Sequence, residues 1–545
     1  MSEAPETPVI SGTWDYLIVT ASNEAQGAAY ERHLSHRQRL GLLPQFRHVI
    51  VVTDPEGKRI GSGGSTLLCI LRVLNQEQEA RPSPAGRPEA IGQTLRRLRV
   101  LIIHAGGDSR RLPAYGPCGK IFIPVPGTLA SGSASTLFDR LLPSFLQLPA
   151  PPVNAGQVLV ASGDVLLHYD PRSVRLDLPG LTALACFDTP EQSSKHGVFV
   201  SEGDRVKYYL QKPNPETQRR SGALNADGLS ALDMGVMSFD AASVLRLLEA
   251  FDVVQGADGR YEWAPGIQAL ILSKGLDLYR EVCCALGSEA TFEHYVRSVR
   301  DSGSLWDIPA LERPFRALNA IPFHLQVVPS CRFMHFGTTR QLITSGLELL
   351  GHDRGLPPHT TQLVLNTRLT SQAEIIGPDS WVEGCTLSST LRLSGHNVVV
   401  GADITTPLTL PANACLDIVP GYNRHGARVH FVRCYGITDT FKDSAEKGGT
   451  FCGLPLLAWL EAAGLPPEVV WDPGDPATQR SLWDARVFPA VRRHEDYPDW
   501  LWMFDVKKAS DQQKQAFREA DRYSAADIAL MTDQKAFQAR REPAT

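Results

Sequence analysis

Continuous apolar runs, separated by stretches of helical composition, dominate the first part of this 545-residue chain and restrict its fold more strongly than any other feature. The runs lack the regular apolar-polar alternation of a half-exposed sheet, which indicates strands that are buried on both faces. Such strands, with helices between them, are typical of a mostly parallel sheet. The sequence therefore predicts an α/β fold for residues 1–325, with strand candidates at residues 14–20, 48–53, 100–104, 158–161 and 181–186.

A different periodicity begins near residue 357. Apolar residues recur there at intervals of 6, 5, 6, 6, 5, 6 and 6, and glycines between them supply turns. A repeat near six is typical of a parallel β-helix, in which each coil has three short sides. An antiparallel meander with accidental spacing is the alternative. The eight positions are Ile376, Val382, Leu387, Leu393, Val399, Ile404, Leu410 and Leu416.

From residue 441 the sequence becomes helical and aromatic, and its tryptophans need cover from the rest of the chain. We therefore predict three domains: an α/β domain over residues 1–325, a β-helix over residues 326–440 and a helical C-terminal segment over residues 441–545. Residues 76–97 are rich in Arg, Pro and Glu and are expected to form an exposed excursion.

The overall charge is small and excludes several classes of partner. Lys and Arg number 54 and Asp and Glu number 59, so the net charge is −5, which argues against a nucleic-acid or membrane-surface binder.

No stretch approaches the roughly 20 apolar residues of a membrane span, and the N-terminus has no signal-peptide core. The ten cysteines form no CxxC pair, which disfavours a zinc ribbon. The expected location is the cytoplasm.

The strongest chemical motif follows the strand candidate at residues 100–104. It reads HAGGDSRRLP over residues 104–113, with Gly119 and Lys120 after it. Glycines let the backbone approach phosphates closely, and Arg and Lys supply charge for a departing pyrophosphate. The GxxxxGK[ST] and GxGxxG patterns do not describe it. A glycine-rich turn with solvated arginines is the alternative, which the combination of strand, glycine pair, arginine pair and Gly-Lys disfavours.

This run resembles the sugar-phosphate nucleotidyltransferase signature, GGxGxRL–P…PK, in the form found in the fucose-1-phosphate guanylyltransferase (GDP-fucose pyrophosphorylase) family. The resemblance implies a Rossmann-like nucleotidyltransferase domain followed by a left-handed parallel β-helix. It maps the catalytic Arg and Lys onto Arg111 and Lys120, with Ser109 where Gly is usual and Arg110 where Thr is usual. The implied nucleotide-binding residues of this run are Ala105, Gly106, Gly107, Asp108, Ser109 and Arg110.

A second glycine cluster, RIGSGGSTL at residues 59–67, lies between a strand candidate and an apolar helix. Amides at a helix N-terminus suit an anion, although many such runs are only loops. The cluster resembles the family's RxGSGG[SA]TL element, which implies that Gly63 and Gly64 form a second wall of the nucleotide site.

A possible metal ligand is Asp164, in the turn SGDV after the strand candidate at residues 158–161. A carboxylate at the carboxyl end of a strand is well placed to hold Mg²⁺ against a triphosphate. Asp164 also resembles the magnesium-binding Asp of the family, whereas a simple turn residue is the alternative. A second ligand is not evident from a motif, and Asp277 is the remaining candidate.

The sugar phosphate site is implied by the resemblance alone. Residues 206–213 resemble the family's EKP element, which makes Lys212 the catalytic contact to the sugar phosphate. Residues 233–240 resemble the strand that follows in the sugar pocket, so Asn225, Asp233 and Gly235 are expected there. Asn225 and Asp233 could equally be turn residues.

The resemblance extends over nearly the whole chain. Residues 333–339 read FMHFGTT, like the family's FxHxGTT, and residues 481–489 fit its C-terminal segment with Asp484 where Asn is usual. The PxxxGLGSS phosphate loop of a galactokinase-like kinase does not occur in the sequence. We therefore expect the sugar 1-phosphate to come from a separate fucokinase, unless this chain is part of a longer protein. A homo-oligomer is left open.

The expected reaction makes GDP-L-fucose and pyrophosphate from GTP and L-fucose 1-phosphate, with Mg²⁺ as cofactor. The base and the sugar are implied by the resemblance, not by the residues alone. A regulatory or scaffolding paralogue that binds a nucleotide sugar without turnover is the alternative, which the charged signature residues disfavour. Acyl transfer on the β-helix is disfavoured as well, because His396, the one His among the coils, lacks an evident partner in the sequence.

Overall fold

The computed structural model describes residues 13–80, 88–129, 132–355 and 360–542. The chain divides into two compact units. The first unit comprises Met1–Gly106 and Leu141–Phe333, and the second comprises Gly107–Arg140 and Met334–Thr545. No sequence pattern assigns residues 107–140 to the C-terminal part of the chain, and the three domain boundaries given above stay a prediction.

Strands occur throughout the described chain. Those up to residue 327 are β1 (Trp14–Ala21), β2 (Phe46–Thr53), β3 (Arg99–His104), β4 (Pro124–Thr128), β5 (Ala134–Thr136), β6 (Gln157–Ser162), β7 (Val165–His168), β8 (Leu181–Asp188), β9 (Gly197–Glu202), β10 (Arg205–Gln211), β11 (Ser230–Phe239), β12 (Val253–Gln255), β13 (Tyr261–Trp263) and β14 (Phe323–Val327). The later ones are β15 (Arg332–His335), β16 (Gln362–Leu365), β17 (Arg368–Leu369), β18 (Glu374–Ile376), β19 (Ser380–Glu383), β20 (Thr386–Leu387), β21 (Thr390–Leu393), β22 (Asn397–Val400), β23 (Asp403–Ile404), β24 (Leu408–Leu410), β25 (Ala414–Tyr422), β26 (Arg428–Gly436), β27 (Thr450–Phe451), β28 (Leu454–Pro455), β29 (Phe488–Val491) and β30 (Arg522–Tyr523).

Helices separate many of these strands, and polar residues such as Asn23, Asp240 and Thr338 cap their first turns. The α-helices are α1 (Glu24–Arg39), α2 (Gly61–Ala80), α3 (Pro88–Arg96), α4 (Leu137–Leu146), α5 (Pro190–Ser193), α6 (Pro215–Arg220), α7 (Ala241–Ala250), α8 (Pro265–Lys274), α9 (Phe292–Asp301), α10 (Ile308–Leu318), α11 (Thr339–Arg354), α12 (Leu456–Ala463), α13 (Asp511–Glu519), α14 (Ala525–Met531) and α15 (Gln534–Ala539). The expected excursion at residues 76–97 is largely helical where it is described, in α2 and α3, and residues 81–87 lie outside the described residues.

The first unit contains a nine-stranded sheet in the order β2-β1-β3-β6-β11-β8-β14-β10-β9. The half formed by β2, β1, β3 and β6 is parallel, and the buried residues of β1 and β3 form its centre. In the other half β11 pairs antiparallel with β6 and β8, and β9 pairs antiparallel with β10. Only residues 203 and 204 separate β9 from β10, which is too short for a parallel crossover. The sheet is therefore mixed and not mostly parallel.

The second unit contains three parallel sheets that explain the six-residue apolar spacing. They are β16-β19-β22-β25, β17-β20-β23 and β18-β21-β24, the first being extended by antiparallel strands β26, β29 and β30. Val364 pairs with Val382, Val382 with Val399 and Val399 with Leu416, so the chain returns to the same position after 18, 17 and 17 residues. Three intervals of five or six residues make one such step. The parallel pairing rules out an antiparallel meander for these strands.

The C-terminal segment belongs to the second unit and is less helical than expected, because β27 to β30 lie in it. Its tryptophans are covered as the composition requires. Trp471 is buried and donates to the carbonyl of Ser481, and Trp459 stacks on Trp502 with ring centroids 6.4 Å apart. Among the described helices, none has the length and apolarity needed to cross a membrane.

Candidate active site

The signature segment, defined here as residues 104–122, begins at the end of the buried strand β3. His104 is the last residue of that strand, and its Nε2 lies 2.9 Å from Thr66 Oγ1. Burial lowers the pKa of His104 to about 4, so the imidazole is neutral at physiological pH. Ala105 donates its amide to Thr20 Oγ1 at 3.2 Å and accepts the Tyr30 hydroxyl at 2.8 Å. The amide and carbonyl of Ala105 are therefore both used within the protein, and the place of Ala105 in nucleotide binding stays a prediction.

The next residues, in the second unit, form a tight turn with unusual backbone angles. Gly107 has a φ of +118° and Ser109 a φ of +55°, and the amide of Leu112 closes the turn on the carbonyl of Ser109 at 2.6 Å. A left-handed conformation costs a non-glycine residue about 1 kcal/mol or more, which explains why the general signature has Gly where this chain has Ser109. The Ser109 hydroxyl is buried and has no hydrogen-bond partner among the described residues.

The charged side chains of this turn differ in their surroundings. Arg110 donates to Asp108 at 2.9 Å, lies 4.0 Å from Asp484 and sits over the ring of Trp483. Its charge is therefore compensated within the protein, so Arg110 and Asp108 form a structural pair, and their place in nucleotide binding stays a prediction. Arg111 is exposed, and its carbonyl accepts the amide of Thr339 at 3.0 Å.

Lys120 opens a short 3₁₀ turn, Lys120–Phe122, directly after Gly119. Gly119 has a φ of +67°, a conformation that glycine adopts without steric cost. The Lys120 side chain is half-buried, whereas Ile121 and Phe122 are buried and fix the turn. The two residues that the signature marks as catalytic, Arg111 and Lys120, thus lie at the two ends of the stretch 111–120.

In the first unit, the glycine cluster at the start of α2 packs against another backbone. The amides of Gly63 and Gly64 donate to the carbonyl of Leu276 at 2.8 and 3.1 Å. A Cβ on Gly61 would lie 2.3 Å from that same carbonyl oxygen. Both amides are therefore used within the protein, and the glycines permit a close backbone approach, while the place of Gly63 and Gly64 in the nucleotide site stays a prediction.

Asp164 lies in the turn between β6 and β7, at the carboxyl end of β6. Its Oδ1 accepts the Ser162 hydroxyl at 2.9 Å, and the amide of Gly163 donates to the carbonyl of His104 at 2.9 Å. This second hydrogen bond ties the turn to the start of the signature segment. Asp164 remains half-buried and can reach solvent.

The other candidate carboxylate, Asp277, caps a helical turn. Its Oδ1 accepts the amides of Tyr279 and Arg280 at 3.0 and 2.9 Å, at the start of the π-helical turn Leu278–Val282. Nothing in this arrangement supports a metal role. Across the described ranges, His, Cys, Asp and Glu form no group of three or more that could hold a metal ion.

A single carboxylate nevertheless suits Mg²⁺ in a nucleotide site. Mg²⁺ keeps several waters and is usually held by one or two carboxylates together with substrate phosphates, not by an all-protein cage. The half-buried Asp164, with one oxygen oriented by Ser162, fits that donor set.

Two of the predicted sugar contacts are occupied by protein donors. Asp233 is buried, and its oxygens accept the Tyr209 hydroxyl and the amide of Gly235, both at 2.7 Å. Burial raises the pKa of Asp233 to about 6. Asn225 Oδ1 accepts the amides of Asp227 and Leu229 and forms a turn. Asp233 and Asn225 thus shape the backbone, and their role as hydroxyl acceptors in the sugar pocket stays a prediction.

Gly235 and Lys212 are placed as functional residues often are. Gly235 has a φ of +70° at a bulge of β11, and a Cβ there would lie 3.0 Å from Ser162 Cβ. Lys212 is exposed, has a φ of +50° and donates its amide to the carbonyl of His196 at 3.1 Å. A left-handed lysine at the end of β10 is a strained position, and such strain is concentrated at functional sites.

Sequence reasoning misses Tyr279 altogether. A Cβ on Gly235 would lie 3.7 Å from the Tyr279 hydroxyl. Burial, and the charges of Asp233, Asp277 and Asp164 among others, raise the pKa of Tyr279 well above its usual value. The three carboxylates that sequence analysis singles out separately thus all act on the pKa of this one tyrosine. A tyrosine in a π-helical turn gives no periodic signal by which to find it.

His396, considered for acyl transfer, does have a neighbour. Its Nδ1 lies 3.9 Å from Asp379 Oδ2, and both side chains are exposed. That distance is too long for a hydrogen bond, so the pair lacks the geometry of a general base and its orienting group.

The chain has a glycine-rich turn after a buried parallel strand, an Arg and a Lys at the ends of residues 111–120, and a carboxylate after the neighbouring strand. These features define an α/β protein of the nucleotidyltransferase type. Residues 92–493 match the fucose pyrophosphorylase domain. The chain therefore belongs to the fucose pyrophosphorylase family.

Named relatives agree with this assignment. The chain is 28% identical to a bifunctional fucokinase/GDP-fucose pyrophosphorylase of Arabidopsis thaliana, over 95% of this chain and 50% of the relative. It is 24% identical to an L-fucokinase/L-fucose-1-P guanylyltransferase of Bacteroides fragilis, over 90% and 48%. It is 26% identical to a human fucose-1-phosphate guanylyltransferase, over 89% and 82%. The chain thus spans about half the length of the two bifunctional relatives.

One solved structure, described as a mannose-1-phosphate geranyltransferase from Thermus thermophilus, matches 74% of this chain and 92% of its own. Its TM-score is 0.29 and its sequence identity 11%, so the likeness carries no weight for the fold.

Proposed function

We propose that this protein is a fucose-1-phosphate guanylyltransferase, which makes GDP-L-fucose and pyrophosphate from GTP and L-fucose 1-phosphate. The match of residues 92–493 to the fucose pyrophosphorylase domain is the observation that carries the proposal. The signature segment supports it, because its Arg111 and Lys120 resemble the Arg and Lys of the family signature.

The proposed reaction is one in-line displacement. An oxygen of the sugar 1-phosphate forms a bond to the α-phosphorus of GTP while the bond to pyrophosphate breaks. The attacking phosphate is already ionised near neutral pH, so no general base is needed, and positioning and charge stabilisation supply the catalysis. In this scheme Arg111 and Lys120 contact the triphosphate and the leaving group, and Lys212 contacts the incoming sugar phosphate.

Magnesium is part of the proposal. Asp164 would hold the ion, which when bound neutralises charge on the triphosphate. The orientation of Asp164 by Ser162 at 2.9 Å supports this role.

We also propose that the three parallel sheets of the second unit are the sides of one β-helix, of left-handed sense as in the family. The return of the chain to the same position after 17 or 18 residues supports the coil. A cytoplasmic location completes the proposal. A light-scattering measurement of mass would determine the oligomeric state.

The decisive experiment measures pyrophosphate release by the purified protein with a panel of nucleoside triphosphates and sugar 1-phosphates. We expect the highest rate with GTP and L-fucose 1-phosphate. Release with a different pair would correct the substrates, whereas binding of a nucleotide sugar with no release by any pair would favour a non-catalytic paralogue.

Lys120→Ala tests the assignment of the signature segment. Loss of one contact to the developing charge typically costs about 3 kcal/mol, so we expect pyrophosphate release to fall at least a hundredfold with the circular dichroism spectrum unchanged. Lys508→Ala is the matched control, because Lys508 is an exposed lysine of the second unit that pairs with Asp505. A folded Lys120→Ala protein with the turnover of the control would refute the assignment.

A further inference from the structure

The signature segment is held at every second residue from Arg111 to Pro117 by side chains and amides that are distant in sequence. The carbonyl of Arg111 accepts the amide of Thr339 at 3.0 Å, and the carbonyl of Pro113 accepts Arg433 Nη2 at 2.8 Å. The carbonyl of Pro117 accepts Gln534 Nε2 at 2.8 Å. These donors come from α11, β26 and α15, all in the second unit.

Tyr115, between these carbonyls, is held by its hydroxyl. Trp381 Nε1 donates to the Tyr115 oxygen at 2.7 Å, and the hydroxyl lies 3.3 Å from Glu383 Oε2. The same Glu383 oxygen accepts Arg541 Nη2 at 2.7 Å. Tyr115 and Trp381 are fully buried, as is Glu383, so one chain of contacts links the signature segment to β19 and to the residue that follows α15 by two positions.

The buried charges of this network are a poor source of stability. Arg433 Nη1 and Arg541 Nε are buried and have no hydrogen-bond partner in the part of the chain that the structure describes. Buried charges that are only partly satisfied contribute little net stability compared with apolar residues of similar volume, and their best-attested benefit is a fixed geometry. The groups whose geometry they fix here are Tyr115 and the carbonyl of Pro113.

We propose that Tyr115, Arg433, Gln534 and Arg541 are positioning residues that hold residues 111–117 of the signature segment so that its Arg111 and Lys120 face the triphosphate. The parallel strands and the C-terminal residues 533–541 then serve the reaction as a scaffold for that segment. The inference rests on the proposed function, because it needs a reaction in which Arg111 and Lys120 take part.

Tyr115→Phe tests the inference with the smallest change, because it keeps the buried ring and removes only the hydroxyl. Tyr523→Phe is the matched control: Tyr523 is also buried in the second unit, and its hydroxyl bonds to the amide of Arg424 and to Asp521, away from the signature segment. Misplacement of catalytic groups by about 1 Å can cost up to a hundredfold in rate. We expect kcat for pyrophosphate release to fall about tenfold in Tyr115→Phe, with the KM for the sugar 1-phosphate unchanged.

A loss of stability alone would affect both tyrosine variants alike, so their melting temperatures and kcat values are compared together. Equal kcat values in Tyr115→Phe and Tyr523→Phe would overturn the inference.

If Tyr115→Phe does not fold, the variants Gln534→Ala and Gln538→Ala test the inference instead. Gln534 is half-exposed and contacts Pro117, whereas Gln538, one turn along α15, contacts Glu542. A lower kcat is expected only in Gln534→Ala, and equal values would overturn the inference.

The two proposals fail in different ways. If the unaltered protein releases no pyrophosphate with any pair in the panel, the proposed function fails and the inference fails with it. If the unaltered protein is active and Lys120→Ala is not, while both matched pairs keep equal kcat values, the function stands and the positioning role is refuted.

Discussion

At the scale of single residues, the buried groups of the signature segment make stability depend on pH in a defined direction. His104 has its pKa lowered to about 4 by burial, whereas an unfolded histidine titrates near 6.5. Between these values the unfolded chain binds the extra proton and the folded chain does not. The stability that His104 contributes is therefore fully present above pH 6.5 and is lost as the pH falls toward 4.

His104→Gln tests this directly, because glutamine retains a polar contact for Thr66 but does not titrate. We expect the free energy of unfolding of the unaltered protein to fall by about 2–3 kcal/mol more than that of the variant between pH 7 and pH 4.5. Denaturant unfolding of both proteins at the two pH values measures it. Other shifted groups, such as Asp54 and Asp233, titrate in both proteins and cancel in the difference. Identical pH dependence in the two proteins would contradict the burial argument.

At the scale of elements, the parallel strands of the second unit place leucines of one row in very different surroundings. Leu369 in β17 pairs in register with Leu387 in β20, and Leu387 pairs with Ile404 in β23. Leu369, at the end of the row, is 48% exposed, whereas Leu387 is fully buried. Each position in such a row thus gains its burial from the strands on both sides.

Leu387→Ala should destabilise the protein by about 2–5 kcal/mol, because it removes buried methyl groups and leaves a cavity between neighbouring strands. Leu369→Ala removes the same atoms from a half-exposed site and should cost less than about 1 kcal/mol. The midpoints and slopes of urea unfolding compare the two variants. Equal losses of stability in the two variants would contradict the prediction that Leu387 contributes more than Leu369 to the packing of the parallel strands.

The sequence predicts elements where a local period exists, and it fails where pairing is decided at long range. The apolar runs locate β1, β2, β3, β6 and β8, and the six-residue spacing locates the parallel strands of the second unit. The antiparallel pairing of β11 depends on which distant strands it meets, and a local pattern does not contain that choice. For the same reason the sequence does not predict that the amides of Gly63 and Gly64 donate to the carbonyl of Leu276, because that acceptor is 212 or more residues away.

At the scale of the whole molecule, the predictable part of the candidate site is the part with a linear motif. The stretch from His104 to Lys120 and Asp164 is found by residue type and by position after a strand, and Lys212 is found by resemblance to the family. Tyr279 and the donors that hold residues 111–117 are not found in this way, because each acts through a contact that only the folded chain creates. The assignment of residues 107–140 to the second unit has the same origin, since those hydrogen bonds join them to residues beyond 333.

Removal of metal is expected to stop catalysis by the whole protein without affecting its folding. In the described residues no three metal-binding side chains form a cluster, and a lone carboxylate such as Asp164 holds Mg²⁺ weakly without substrate phosphates. We therefore expect EDTA to abolish pyrophosphate release while the thermal unfolding midpoint of the substrate-free protein stays unchanged, and excess Mg²⁺ to restore the rate. Asp164→Asn should shift the Mg²⁺ dependence of the rate to higher concentration. A midpoint that falls on addition of EDTA would instead indicate a structural metal, and turnover that persists in EDTA would refute the magnesium role.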